Sequence, residues 1–446
     1  LPAVACTSGE IDVLGDGTQC ETAKFSLTTT NLSADTTFKF KMSAAGVFYV
    51  DWGDGTVQTI NRTGDTTEAQ YTHTYATAGV KTIRFAGHAT YYNWTFNAST
   101  AVAAIRFGYE STADTTPDLV ASINGSLGEI FSSGSAYGQA PMFHYTFSKT
   151  NITSIPENLF SGINNTVYGM FRHTFQGCVY LQSIPGNLFA NIPGDEYYLF
   201  KSTFANCSAL TSVPENLFAN RKGHALEFYD TFSGCSGLTS LPEHLFSHIE
   251  NAKDSMFFRV FDNCTNLSGY IPPSLFYGLI KNGSPNEHRL MADIFHNTNL
   301  DTSCPTGTTQ YITGYESYWG GKVSCVDESF VCDAGEYLPA HGYQCETCPA
   351  GSACIGGNYN YSETVTQGIV ACASGTFSPT GSAVCYPHIL HVGNDNIYLK
   401  STKQTTPSLN IRIGNDIFYA NMTTVRTRMN KDSIHYFHVQ WDNNDY

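Results

Sequence analysis

The sequence predicts a mainly β, multidomain protein, and three observations carry that reading. Between Phe25 and Tyr109, β-branched and aromatic residues alternate with polar ones in short runs separated by Gly, Asp and Asn turns, the pattern of strands. Further on, one phrase recurs: "TFSGCSGLTSLPEHLF" from Thr231, "TFQGCVYLQSIPGNLF" from Thr174 and "TFANCSALTSVPENLF" from Thr203, with worn copies from Thr146 and Val260. Fourteen cysteines fall mostly in loop-rich segments. With 446 residues, 41% hydrophobic and 14% charged, the chain can bury several cores beneath a neutral polar surface. The expected pieces are a disulfide loop (1–21), a β-sandwich (22–115), a repeat solenoid (116–303), a Cys-rich module (304–387) and a small terminal β-segment (388–446).

In the first piece, Cys6 and Cys20 flank a Gly/Asp turn and are expected to pair locally. In the second, "DWGDGT" at Asp51 to Thr56 is followed by "HTYATAGVKTI" at His73 to Ile83. These paired motifs resemble the polycystic-kidney-disease (PKD) type of immunoglobulin-like sandwich. The resemblance implies that Trp52 packs between the sheets and that Gly53-Asp54-Gly55 makes a tight turn needing positive φ. His73 and Tyr75 would then lie on the strand facing that turn. Calcium on Asp51 and Asp54 is the one cofactor possibility, although turn geometry alone explains both residues.

The repeats set their lead phenylalanines, Phe147, Phe175, Phe204, Phe232 and Phe261, 28 or 29 residues apart, with Phe295 a longer step away. A fixed period in this range marks a solenoid, whose copies bury together what none buries alone. A second apolar ladder runs Phe143, Phe171, Phe200, Phe228, Phe257 and Met291. The phrase "F-x-x-C-x-x-L-x-x-I-P" resembles the leucine-rich repeats of BspA-like bacterial surface antigens, which implies one short strand per copy. That strand is expected near "LTSI/V/L", stopping at Pro156, Pro185, Pro214 and Pro242. Longer loops such as "ANIPGDEYY" and "ANRKGHAL" are expected on the convex side.

One rung of the solenoid reads Thr150, Cys178, Cys207, Cys235, Cys264, Thr298. A small, half-polar side chain under the turn fits both residue types. The four cysteines are expected to be free buried thiols, because neighbours in a ladder point in parallel and not at each other. Serine at Cys207 or Cys235 is expected to leave a buried hydroxyl without a partner.

Beyond the repeats, Cys304 and Cys325 bracket a polar loop expected to cap the solenoid. Cys332, Cys345, Cys348, Cys354, Cys372 and Cys385 follow among "CPAG" and "SPTG" turns. This segment resembles the Cys-rich modules of ephrin- and tumour-necrosis-factor-receptor type. That analogy implies Cys332–Cys345, Cys348–Cys372 and Cys354–Cys385. The last segment holds alternating runs, "NIYLKS", "SLNIRIG" and "SIHYFHVQW", and uses "GND" twice as a turn.

The formal net charge of −15, with no basic stripe, argues against nucleic acid. No run of about 18 apolar residues exists to insert in a membrane. Disulfide-rich composition and a start at Leu1, as after signal-peptide removal, place the chain outside the cell or on its surface. Asn61, Asn93, Asn206 and Asn263 stand in Asn-x-Ser/Thr sequons and are candidates for glycosylation. No catalytic constellation, cofactor site or metal site is read. His244 and His248 lie four apart without a third ligand, and Glu157, Glu215 and Glu243 suit the first turn of short helices. The expected role is therefore non-enzymatic, structural or adhesive, with head-to-tail self-assembly into a filament or surface layer. The alternatives are a monomeric adhesin for a host or neighbour-cell protein or glycan, and a secreted hydrolase with an unrecognised site.

Overall fold

The computed structural model describes residues 6–7, 9–92, 102–109, 114–132, 140–250, 253–281, 291–311, 319–374 and 376–387, together with backbone strands between 391 and 421. Asn93, the arm 1–5 and the run "SIHYFHVQW" lie outside these residues. The fold is mainly β with several disulfides, and its longest described α-helix is Tyr277–Lys281. The chain divides into two compact units, Leu1–Val326 and Asp327–Tyr446.

The first unit opens with hairpin β1 (Glu10–Asp12) and β2 (Cys20–Thr22), closed by Cys6–Cys20. The Asp12 carboxylate accepts the N–H groups of Gly15 and Gly17 (both 2.9 Å) and shapes the turn. Six strands and two further segments then build two antiparallel sheets. Strands β3 (Phe25–Thr29), β5 (Ala45–Asp51), β6 (Val57–Asn61), β8 (Thr82–Tyr91) and β10 (Val120–Gly125) take the order β10-β3-β8-β5-β6. Strands β4 (Thr36–Met42), β7 (Ala69–Tyr75) and β9 (Ile105–Arg106) take the order β7-β4-β9. Alternation puts Phe25 and Leu27 of β3, and Phe38, Phe40 and Met42 of β4, inside. The sheets meet through aromatic rings: Phe40 lies 5.4 Å from Phe85 and 5.8 Å from Trp52. Because β10 pairs with β3, the first sheet runs on to Gly125, past the expected boundary at 115.

The repeats form coils centred on the lead phenylalanines. Each coil is a run of tight turns with a left-handed residue at every fourth position, as at Leu226, Asp230 and Gly234 (φ 60°, 54° and 75°). Side chains consequently alternate two in, two out: Phe228, Thr231, Phe232 and Cys235 are buried, while Tyr229, Asp230, Ser233 and Gly234 are not. The N–H groups of Phe228, Asp230, Phe232 and Gly234 donate to Met256, Phe258, Val260 and Asp262 of the next coil, at 2.7–3.0 Å. Those of Tyr229, Thr231, Ser233 and Cys235 donate three residues back in their own coil. Every backbone donor of this run is thus satisfied without a helix or a conventional strand.

Hydrogen bonding between copies runs through this phenylalanine segment and not through the expected "LTSI/V/L" strands. There the chain is extended but bonds its neighbour only singly, as Gln182 N to Thr153 O (3.0 Å) and Ser268 N to Thr239 O (3.3 Å). The proline that follows has no N–H to extend such pairing. Only at the end do β11 (Ser268–Gly269) and β12 (Asn299–Leu300) pair, in parallel. After each proline comes a single turn, and among Glu157, Glu215 and Glu243 only Glu215 opens a short helix, the 3-10 turn Glu215–Phe218.

Three phenylalanine columns fill the stack. The lead column passes from Phe107 of the sheets through Phe147, Phe175, Phe204, Phe232 and Phe261 to Phe295, each ring 5.4–5.8 Å from the next. Beside it run Phe143, Phe171, Phe200, Phe228 and Phe257. The third, Phe160, Phe189, Phe218, Phe246 and Phe276, was hidden in the repeated "LF" that ends each phrase. Beyond the last coil, β13 (Thr308–Gln310) and β14 (Cys325–Asp327) pair beside the Cys304–Cys325 bond, and Trp319 and Val323 are buried. Lys322 Nζ donates to the Thr298 and Leu300 carbonyls at 2.8 and 2.9 Å, tying this loop to the last coil. The Cys304–Cys325 loop therefore belongs with the repeats, and the Cys-rich unit starts near Asp327 instead of 304.

In the second unit, β15 (Ser329–Cys332) pairs with β19 (Gly357–Asn360), β16 (Glu336–Tyr337) with β17 (Glu346–Thr347), β18 (Ser352–Cys354) with β20 (Ile369–Ala371), and β21 (Thr376–Phe377) with β22 (Tyr386–Pro387). The bonds are Cys332–Cys345, Cys348–Cys354 and Cys372–Cys385. The first agrees with the analogy. The expected Cys348–Cys372 and Cys354–Cys385 are corrected, and the reason is a repeat within the module. "C-x-x-G-x-(Y/F)-x-P" occurs at Cys332 and again at Cys372, and each copy closes on a cysteine 13 residues on. Each such pair joins the residue four before the first strand of a hairpin to the residue just before its second strand, which leaves Cys348 and Cys354 to close the turn between the hairpins. The terminal backbone forms hairpin β23 (His391–Val392) with β24 (Asp395–Asn396), then a sheet of β25 (Leu399–Ser401), β26 (Ser408–Ile413) and β27 (Asp416–Asn421).

Candidate functional site

The DWGDGT turn is held by its own side chains. Asp51 accepts Gly53 N–H (2.9 Å) through one oxygen and Arg84 (3.0 Å) through the other. Asp54 accepts Thr56 N–H (3.1 Å) and lies 2.7 Å from His73 Nε2. Partial burial pushes the Asp54 carboxyl up, but the His73 and Thr56 hydrogen bonds outweigh it and hold it below the usual range. His73 stacks on Trp52 at 4.8 Å, and Tyr75 Oη donates to the Trp52 carbonyl (2.8 Å). Gly53 is required here: φ is +77°, and a Cβ would run into the Thr82 carbonyl. All four carboxylate oxygens of Asp51 and Asp54 have protein partners, so the turn is explained without calcium.

Among the described residues, no group of three or more His, Cys, Asp or Glu side chains gathers as for a metal. His244 is exposed, and burial lowers the pKa of His248. Glu157, Glu215 and Glu243 stand exposed after the prolines of three coils, the coil between the first two carrying Gly186 there, and Asn61, Asn206 and Asn263 are also exposed.

The cysteine rung has a chemical logic. Cys178, Cys207, Cys235 and Cys264 are unpaired and fully buried. Each thiol donates to the lead-phenylalanine carbonyl of the preceding coil: Phe147 (3.0 Å), Phe175 (3.2 Å), Phe204 (3.1 Å) and Phe232 (3.2 Å). Four residues earlier, Thr174, Thr203 and Thr231 do the same for Phe143, Phe171 and Phe200 at 2.8–3.0 Å. Two columns of side-chain donors therefore stitch coil to coil. The terminal Thr150 and Thr298 bond Phe147 and Phe295 of their own coils, both at 2.8 Å. A hydroxyl on this rung thus finds an acceptor, which corrects the expectation that serine would be orphaned. Burial pushes the Cys178 and Cys235 thiols up to about 12, so these are structural sulfurs and not nucleophiles.

The most unusual chemistry lies in one coil, at two residues that the sequence alone does not single out. The rung Ile163, Ile192, Arg221 and Ile249 places an arginine among isoleucines, only 3% exposed. The rung Met170, Leu199, Glu227, Met256 places a glutamate, fully buried, among apolar side chains. The Arg221 guanidinium donates to the carbonyls of Ile192 and Gly194 in the preceding coil. Glu227 Oε2 accepts His224 N–H (2.8 Å). Arg221 Nε, His224 Nδ1, Glu227 Oε1 and His248 Nε2 are buried without hydrogen-bond partners. Burial drives the Glu227 carboxyl up to about 8; Arg221 opposes this, while Asp195 and Glu196 add to it. A depression of about 320 Å³ opens over this coil, lined by residues of 190–195 with Asn220, Arg221 and Lys222. The only signal in the sequence is a pair of mismatches against a strict repeat. The arrangement supplies a proton-binding carboxyl and fixed positive charge, without a nucleophile among these groups. Compared with known proteins, the chain matches no family model, no curated protein and no solved structure.

Proposed function

We propose that this chain is a non-enzymatic extracellular structural protein that assembles with copies of itself, built as a PKD-like sandwich followed by BspA-like leucine-rich repeats and a Cys-rich module. The observation that carries the reading is the unbroken lead column from Phe107 to Phe295, which joins the sheets and every coil in one stiff core. Such continuity suits load-bearing or display better than turnover. Five disulfides suit an oxidising exterior. Among the described residues, β25 and β27 are the outer strands of the terminal sheet, and a strand edge is a template for another chain.

Sedimentation velocity over a concentration series, with negative-stain microscopy of the same samples, tests this. Filaments or sheets are expected, and deletion of His388–Tyr446 is expected to leave a folded monomer. A full-length chain that stays monomeric at high concentration sinks the assembly reading. The adhesin reading then takes its place, favoured by one observation: the outer-face residue beside each buried phenylalanine changes from coil to coil (Arg172, Lys201, Tyr229, Phe258) while the buried phenylalanines are constant. A varied face on a constant core is what a binding surface on a repeat scaffold requires.

A further inference from the structure

We infer that the Arg221–Glu227 pair is a proton-operated latch: the loop 219–227 is held closed when Glu227 is neutral and released when it ionises. The geometry behind this begins with position. Equivalent rungs carry Met170, Leu199 and Met256, so this pocket is shaped for an uncharged side chain. Glu227 is 0% exposed, one of its oxygens takes a single backbone N–H, and the other has no partner. A neutral carboxyl can lie in such a place; a carboxylate there is a buried charge lacking its usual hydrogen bonds.

Arg221 does not supply the missing partner. No ion pair joins it to Glu227, because its terminal nitrogens are taken up by the Ile192 and Gly194 carbonyls. The groups facing Glu227 come from each neighbouring element. Asp195 and Glu196 of the preceding loop oppose its ionisation, while Arg221 and the His224 N–H of its own loop favour it. Lys222 N–H holds Asp195 at 3.2 Å, and the Arg221 charge opposes protonation of His248 in the following coil. The next coil's Asp254 meets the loop through its carbonyl, which accepts Leu226 N–H (3.1 Å). Gly223 packs tightly on Ile249 and Met256, so opening here uncovers the rung of the next coil.

The sign follows from linkage. In the closed loop the Glu227 carboxyl titrates near 8; in an opened loop it returns toward its ordinary 4.5. The open form therefore releases the proton between those values, and opening becomes up to about tenfold more frequent per pH unit across that window, then levels off. Hydrogen exchange of the full chain, read by mass spectrometry at pH 5.5, 7 and 8.5 and corrected for intrinsic rates, measures this directly. Peptides covering 219–227 should lose protection progressively from pH 5.5 to 8.5, while the matching loop 190–196 should not. Glu227→Gln keeps the shape but cannot ionise, and should abolish the trend. The pair Arg221→Ile with Glu227→Met restores both apolar rungs and should do likewise in a stably folded chain. Unchanged protection in the wild type across this range overturns the latch, as does a Glu227→Gln trend equal to the wild type's.

Discussion

Replacing Cys207 tests whether the thiol column acts through hydrogen bonding, through packing, or through both. The side chain is fully buried, and its sulfur sits 3.2 Å from the Phe175 carbonyl. That carbonyl also accepts Cys178 N–H (3.2 Å), so removing the thiol leaves it with one partner. Cys207→Ala thus loses a weak hydrogen bond and the contacts of one sulfur atom, together about 1–2 kcal/mol. Cys207→Ser keeps a donor: the Phe204 carbonyl stands three residues back, as Phe147 does for Thr150. Its expected cost is below about 1 kcal/mol. Cys207→Val adds a branch where the next coil stacks, and overpacking should cost about 1–3 kcal/mol. Urea unfolding of the three variants, compared at equal slope, gives the order Ser, Ala, Val from mildest to worst. A serine variant less stable than the alanine variant by more than about 1 kcal/mol would refute the reasoning, since the hydroxyl would then be shown to lack its acceptor.

The remaining expectations are simpler. Phe204→Ala, in the middle of the lead column, should destabilise the stack by about 3–5 kcal/mol in the same assay, whereas Phe258→Ala on the outer face should cost far less. Burial, reinforced by Arg172 and Lys201, lowers the His173 pKa from 6.5 to about 3. A histidine depressed in this way favours folding fully above 6.5, and that contribution is lost as pH falls through the window toward 3; His173→Gln should therefore lose less stability on acidification to pH 4 than the wild type, by up to about 1.4 kcal/mol per unit. Peptide mapping without reduction should recover Cys372 linked to Cys385 and Cys348 to Cys354, and four of the fourteen cysteines should react with a thiol reagent after denaturation. A Cys348–Cys372 peptide would contradict the hairpin-by-hairpin arrangement.

Legibility in the sequence followed how local each feature is. The spacing of Phe147 to Phe261 disclosed the stack, because one residue type recurring at a fixed interval places like side chains over like in successive copies. The coil path was not legible. A left-handed turn is obvious at Gly177 and Gly234, but the equivalent Asn206 and Asn263 and the non-glycine Ser202, Asp230 and Arg259 adopt positive φ only because the neighbouring coil enforces it. The pairing Cys332–Cys345 was legible from an analogy, while Cys372–Cys385 required noticing that Gly335 and Tyr337 have counterparts at Gly375 and Phe377. The Arg221–Glu227 pair escaped for a related reason. Both residues lie in the variable stretch between two repeated phrases, and each looks like an ordinary surface charge until its ladder shows which way it points.

The direction of the coil-to-coil hydrogen bonds has a consequence for growth. Along the phenylalanine segment every coil offers backbone N–H groups to its successor and threonine and cysteine side-chain donors to its predecessor, in the same pattern each time, so any coil fits after any other. A further segment of 28 or 29 residues could be inserted between Phe175 and Phe261 and meet matched partners on both sides. Length is thus a free variable of the architecture. What fixes it is the pair of terminators: the segment around Phe107 at one end, which accepts no further coil because it already belongs to a sheet, and the Lys322 and Trp319 loop at the other, which covers the final edge. Lineages of such chains would be expected to differ by whole coils between unchanged ends, lengthening or shortening the molecule's reach without redesign of either terminus.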